Sequence, residues 1–269
     1  RDSIVALVGY AENDTLSFKS HLFDIPGNEA EGAESATILL IDETAPTIVS
    51  VSYESNYSDS SLATIGHEIT LIFETDVEIQ TPVVTISTNS ATVTDLGSNQ
   101  WQATYIMQGS DGDGIIIFQI DTLTDSRGNP AEGTSSTTDD TQVIFDKTQP
   151  TLNPVSVISN NPDLEWAKVG DSITISFSSD DELMATTGTI VTQAAIVTDL
   201  GGNSFTAKYE MTEADPEGEI EFEIIVTDLV GLNSDPVSET TDETSVIFDR
   251  TLPELDYVHI ESSNINNTS

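Results

Sequence analysis

The chain has 269 residues, with 47 Asp and Glu against 7 Lys and Arg, a formal net charge of −40. So acidic a surface repels nucleic acid and anionic membrane, because it offers neither a basic patch nor counterion release. Cysteine is absent, which excludes disulfides, zinc–thiolate centres and thiol nucleophiles.

The excess acid has two uses: solubility in salty water for most carboxylates, and cation binding for a minority. No apolar run approaches the roughly 18 residues of a membrane span; the longest, such as "IIIF" at 115–118, are strand-sized. Arg1 is not a natural start and no signal peptide is visible, so the sequence reads as a mature or excised piece.

In chain order, residues 1–41 align with the last three strands, E, F and G, of a β-sandwich, and "FDIPGN" (23–28) is their loop. "LLIDETAP" (39–46) then leads into seven expected strands: 47–54 (A), 68–74 (B), 83–87 (C), 91–95 (D), 100–107 (E), 114–121 (F) and 141–146 (G). In "EITLIF", Ile69, Leu71 and Phe73 share one face; in "WQATYIM", Trp101, Ala103, Tyr105 and Met107 alternate with polar neighbours. Such period-2 runs between Gly, Asn and Asp turns mark half-buried strands.

The same set returns one repeat later. "GHEITLIF" (66–73) matches "GDSITISF" (170–177), and "TVTDLGSNQWQATYIM" (92–107) matches "IVTDLGGNSFTAKYEM" (196–211). "VIFDKTQP" (143–150) returns as "VIFDRTLP" (246–253). Asp42, Asp146 and Asp249 therefore stand 104 and 103 residues apart. That period is too long for a solenoid unit and is the size of one immunoglobulin-like sandwich.

The expected fold is all-β: tandem seven-stranded immunoglobulin-like sandwiches in an elongated array. Its parts are 1–41 (the end of one domain), 42–145 and 146–248 (two full repeats) and 249–269 (the start of another). Two accounts fit the half-domains: a window cut from a longer array, or completion by strands of another subunit.

Each D-x-T-x-P segment closes one domain and enters the next. In a seven-stranded sandwich it lies beside the next domain's BC and FG loops and the previous domain's EF loop. Those loops supply "ETD" (74–76) and "SSDDE" (178–182) from BC, Asp125 with Asn129 and Asp228 with Asn233 from FG, and "QGSDGDG" (108–114) and "EADPEG" (213–218) from EF. Converging carboxylates repel unless a cation offsets them, and Ca²⁺ accepts 6 to 8 oxygen ligands in flexible geometry. The candidate ligands are Asp146 with Asp111, Asp113, Asp180 and Asp181; Asp42 with Asp14 and Asp76; and Asp249 with Asp215 and Glu217. The competing reading makes the motif Asp a turn cap and the Pro a marker of extended linker. Likewise the Asp of D-x-x-G-N forms an Asx turn. No EF-hand or nonapeptide calcium motif is present.

Quoted together, "GDSITISF", "VTDLGGNSFTAKYEMTEADPEGEIEFEIIVTDLVG" and "VIFDRTLP" resemble the immunoglobulin-like repeats found in tandem in very large bacterial surface proteins and adhesins. "DETAPT" (42–47) nearly reproduces that family's D-T-T-A-P-T. The resemblance implies a calcium-stiffened stalk or filament outside the cell. "TDLVGLN" carries one extra residue before its Asn, which implies a differently shaped second FG loop and makes Asn233 a weaker ligand.

Nothing in the sequence announces an enzyme. His21, His67 and His259 do not recur at equivalent positions, and no G-x-S-x-G or phosphate-binding glycine motif occurs. Trp101 and the equivalent Phe205 read as core, and Trp166 as a domain-edge residue. The expected role is the stalk of an extracellular cell-surface adhesin. The alternatives are a filament or sheath subunit completed by other copies, and an accessory region of a secreted enzyme. The expected partners are the neighbouring repeats and, in a filament, further copies; nucleic acid and membrane insertion are not expected.

Overall fold

Alternation sets the strands here. In "EITLIFET", Ile69, Leu71 and Phe73 are fully buried while Ile72 faces outward, as a period-2 run placed over one core requires. The structure is a computed structural model that describes residues 12, 14–16, 22–30 and 39–261. It is all-β, with no helix among the described residues. The chain divides into two compact units, 1–147 and 148–269.

Unit 1 opens with two short antiparallel pairs. β1 (Thr15–Leu16) pairs with β4 (Leu39–Leu40), and between them lies the hairpin β2 (Leu22–Phe23) with β3 (Glu29–Ala30). The rest of the E and F strands expected before residue 39 lies outside the described residues.

The sandwich then follows. One sheet has β5 (Ile48–Ser55), β7 (Glu68–Thr75), β10 (Thr92–Gly97) and β11 (Gln100–Ile106) in the order β10-β11-β7-β5. This is the D-E-B-A sheet of an immunoglobulin-like fold. β8 (Val84–Ile86) carries β9 (Asn89–Ser90) on one side. On its other side lies β13 (Phe118–Ile120). β16 (Ile144–Phe145) pairs antiparallel with β12 (Gly114–Ile115) and parallel with β6 (Leu62–Ala63). The sequence did not show β6, because two residues carry no period. A last hairpin joins β14 (Leu123–Thr124) and β15 (Pro130–Ala131).

Unit 2 repeats this plan. Its first sheet orders β17 (Leu152–Ser159), β19 (Ser172–Ser179), β23 (Ser204–Glu210) and β22 (Ile196–Gly201) as β17-β19-β23-β22. β18 (Trp166–Ala167) and β24 (Gly218–Glu219) flank β26 (Ile247–Phe248). β20 (Leu183–Ile190) lies between β21 (Gln193–Ala194) and β25 (Phe222–Asp228).

Strand C is where the repeats differ. β20 pairs with β25 from Leu183 to Ile190, whereas β8 pairs with β13 only from Val84 to Ile86. Pro82 occupies the position of Thr186, and a proline cannot donate to a ladder.

Each unit has its own core. Trp101 in unit 1 and Phe205 in unit 2 are buried as expected, and Phe205 stacks on Phe177 with ring centroids 5.6 Å apart. Trp166 is 42% exposed on β18. After Asp249 no strand forms among the described residues, and Leu255, Tyr257, Val258 and Ile260 are exposed.

Candidate functional site

The D-x-T-x-P segments are tied down by a recurring set of bonds. The residue after each motif Asp donates its backbone N–H to an acidic side chain of the preceding EF region. Glu43 donates to Glu12 Oε2 at 2.6 Å, Lys147 to Asp113 Oδ1 at 2.9 Å, and Arg250 to Glu217 Oε1 at 3.0 Å. The two basic residues reach back further. Lys147 Nζ donates to the carbonyls of Gly109 and Asp111, and Arg250 Nη1 to that of Glu213. Thr251 Oγ1 also donates to Glu217, whose carboxyl lies below its ordinary value chiefly because of that bond.

At Asp42 and Asp249 the motif Asp itself makes an Asx turn. Thr44 N–H donates to Asp42 Oδ1 at 3.1 Å, and Thr251 N–H to Asp249 Oδ1 at 2.8 Å. Asp146 donates its N–H to the Ala63 carbonyl, as Asp249 does to Ala167, at 2.9 Å. The Asp14 carbonyl accepts from Ile41 N–H at 3.0 Å.

Four candidate ligands carry bonds that fix loops. Asp76 accepts from Thr47 N–H at 2.7 Å and returns its own N–H to Thr47. Asp180 does the same with Thr151 and also accepts from its hydroxyl at 2.7 Å. Both carboxyls are held below the ordinary value, first by those backbone bonds. Asp111 is buried and accepts from Tyr105, Asn89 and the Gln108 N–H. Asp215, its repeat equivalent, accepts from Tyr209, the Thr212 N–H and the Thr212 hydroxyl.

The FG loops hold the charges that matter most. In unit 1, Asp125 Oδ1 accepts from the N–H groups of Arg127 and Asn129 at 2.9 and 2.7 Å, while Asn129 Nδ2 fills Oδ2 at 2.7 Å. Burial raises the Asp125 carboxyl, but the bonds from Asn129, Arg127 and Gly128 together bring it below its ordinary value. The Arg127 guanidinium reaches Asp42 Oδ2 at 2.5 Å, and Asn129 Nδ2 also meets the Asp42 carbonyl at 3.2 Å. Arg127 is the first cause that lowers the Asp42 carboxyl. Asp24 and Asn28 repeat the Asp–Asn arrangement, with Asn28 N–H at 2.7 Å and Nδ2 at 2.8 Å.

Unit 2 keeps the turn and loses its partners. Val230 and Leu232 donate their N–H groups to Asp228 Oδ1 at 2.9 and 2.8 Å, as Arg127 and Asn129 do to Asp125. Gly231, at φ +84°, continues the turn as Gly128 does at +95°. The extra residue therefore leaves the loop's backbone unchanged, where the sequence implied another shape. It puts Leu232 in the place of the amide and moves Asn233 one step on, where its Oδ1 accepts from Thr227. Asp228 is 1% exposed, and its Oδ2 has no hydrogen-bond partner among the described residues. A carboxylate oxygen of Asp181 lies within 4.8 Å of one of Asp228. Burial, then the Asp181 charge, pushes the Asp228 carboxyl above its ordinary value.

Sequence reasoning put Asp181 among the ligands and placed Asp228 in the converging FG loop without choosing it as a ligand. The available signal was the exchange of Arg127 and Asn129 for Val230 and Leu232 within a matched loop.

No family model and no curated protein matches this sequence. Among solved structures, a 1.5-MDa bacterial ice-binding adhesin is 18% identical, with 85% of this chain and 74% of that one covered and a TM-score of 0.46. A Ca²⁺-stabilized adhesin that helps an Antarctic bacterium bind ice is 16% identical, over 88% of this chain and 57% of that one, with a TM-score of 0.43. The fibronectin(III)-like modules of Clostridium thermocellum CbhA are 14% identical, over 79% of this chain and all of theirs, with a TM-score of 0.31.

Proposed function

We propose that this chain is a spacer segment of an extracellular, cell-surface adhesin, built of immunoglobulin-like repeats whose joints are stiffened by neutralising their acidic loops. One observation carries the reading: the segment 42–47 is bonded from both sides. Behind it, Glu12 and Asp14 hold Glu43 and Ile41. Ahead of it, Arg127, Asn129 and Asp76 hold Asp42 and Thr47. Pro46 fixes its own φ between them. A linker so bound cannot swivel without breaking charge-assisted bonds, which suits a part that transmits reach or force. Where the chain brings acids together without its own cation, Ca²⁺ is the ion whose ligand number and tolerance fit. The partners in this role are the neighbouring repeats.

Small-angle scattering of the chain with calcium and with EGTA tests the stiffening. The expected result is a maximum dimension that changes when calcium is removed; an unchanged profile overturns calcium stiffening. Surface labelling of intact cells by an antibody to this segment tests the location, and labelling only after lysis overturns it.

A further inference from the structure

We propose that unit 2 binds one divalent cation of the calcium class at Asp228 and Asp181, and that unit 1 has no such site because the Asn129 amide fills the equivalent oxygen of Asp125. The inference deepens the calcium reading above and rests on it.

Four matched positions carry the argument. In unit 1 they are Asp125, Arg127, Asn129 and Val77; in unit 2, Asp228, Val230, Leu232 and Asp181. The matching is set by the backbone. The same N–H groups meet Oδ1 in both FG loops, and Asp76 and Asp180 make the same bonds to Thr47 and Thr151 just before Val77 and Asp181. Three of the four positions differ, and each difference removes a donor or adds negative charge. A guanidinium becomes a buried valine, a carboxamide becomes leucine, and an outward valine becomes a second carboxylate.

The result is a carboxylate oxygen, Asp228 Oδ2, that is buried and unpartnered, with the Asp181 carboxylate beside it. Buried acceptors are nearly always satisfied, and an exception calls for an explanation such as an ion. In unit 1 the Asn129 amide fills the equivalent oxygen, Asp125 Oδ2; here a second carboxylate stands within 4.8 Å instead, and a doubly charged ion offsets that repulsion. Asp228 Oδ1 is committed to two N–H groups and Asp181 Oδ1 to the Glu182 N–H. Calcium, which completes a loose shell with carbonyls and water, fits this better than magnesium, which demands an octahedron.

The test is calorimetric titration of CaCl₂ into the 269-residue chain and into Asp228→Asn and Leu232→Asn variants, with thermal unfolding in EGTA as the check on folding. Leu232→Asn restores the amide of unit 1 and leaves both carboxylates in place. The expected result is one calcium lost or weakened at least tenfold in both variants, with unfolding in EGTA no lower than for the parent. Unchanged titration of either folded variant overturns the site. If the parent chain binds no calcium at all, the calcium part of the proposed function falls as well; if it binds calcium and the variants match it, this site alone falls.

Discussion

Arg127 Nη1 stands 2.5 Å from Asp42 Oδ2, across 85 positions of the chain. The guanidinium sits on a loop whose backbone is already fixed by Asp125, so its arrival at Asp42 requires little further ordering. It thereby joins the D-x-T-x-P segment to the FG loop of the sandwich that follows.

Replacing Arg127 with Gln should release Asp42. The Asp42 carboxyl is lowered in the folded chain, so the ion pair contributes above the ordinary carboxylate value and is lost as pH falls through the lowered one. In the variant the Asp42 titration should move up toward the ordinary range. Carbon-13 carboxyl titration followed by NMR reads this directly, and an unmoved Asp42 would show that Arg127 does not hold it.

Asn129→Leu should recreate in unit 1 what unit 2 has at Leu232. Asp125 Oδ2 loses its buried donor at 2.7 Å. An unsatisfied buried acceptor costs about 1–3 kcal/mol, and urea unfolding of the variant should show a loss of that order. A change within a few tenths would mean that water replaces the amide.

Tyr53 makes a bond that unit 2 lacks. Its hydroxyl donates to the Ile116 carbonyl at 2.9 Å and accepts from Val143 N–H at 3.2 Å, so β5 is tied to the opposite sheet. The repeat equivalent is Val157. Tyr53→Phe strips both partners inside the core and should cost about 1–2 kcal/mol. The readout is again urea unfolding; an equally stable variant would show the hydroxyl to be replaceable.

Much of this was readable before any coordinates. Ile69, Leu71 and Phe73 announced their face because a strand has a period of two, and a periodic apolar run has nowhere else to go. The length of the repeat announced the sandwich. The short β6 escaped, because Leu62 and Ala63 are held by a non-local parallel pairing with β16 and have no pattern of their own. The acidic loops were legible as a set, but their division of labour was not. Asp76 and Asp180 are bonded to Thr47 and Thr151, for which the Pro-Thr pairs at 46–47 and 150–151 were a usable sign. The Arg127–Asp42 pair offers no local sign, since its two residues are far apart in sequence and only the fold joins them.

Asp228 should give unit 2 a pH response opposite to that of the lowered carboxylates. Its carboxyl is raised in the folded state, so the folded chain binds its proton more tightly than the unfolded chain does. Stability from this group is therefore greatest below the ordinary carboxylate value of about 4. It declines as pH rises from there to the raised folded value, and is level above it. Asp42, Asp125 and Asp180 slope the other way, so the measurement is a difference between the parent chain and Asp228→Asn, both in EGTA. The parent should lose stability relative to the variant as pH climbs from about 4 through the raised folded value. Millimolar calcium should shrink that gap, because a bound cation favours the charged carboxylate. A gap that is flat with pH would mean that Asp228 ionises in the fold as easily as in the open chain, and that its buried oxygen finds water.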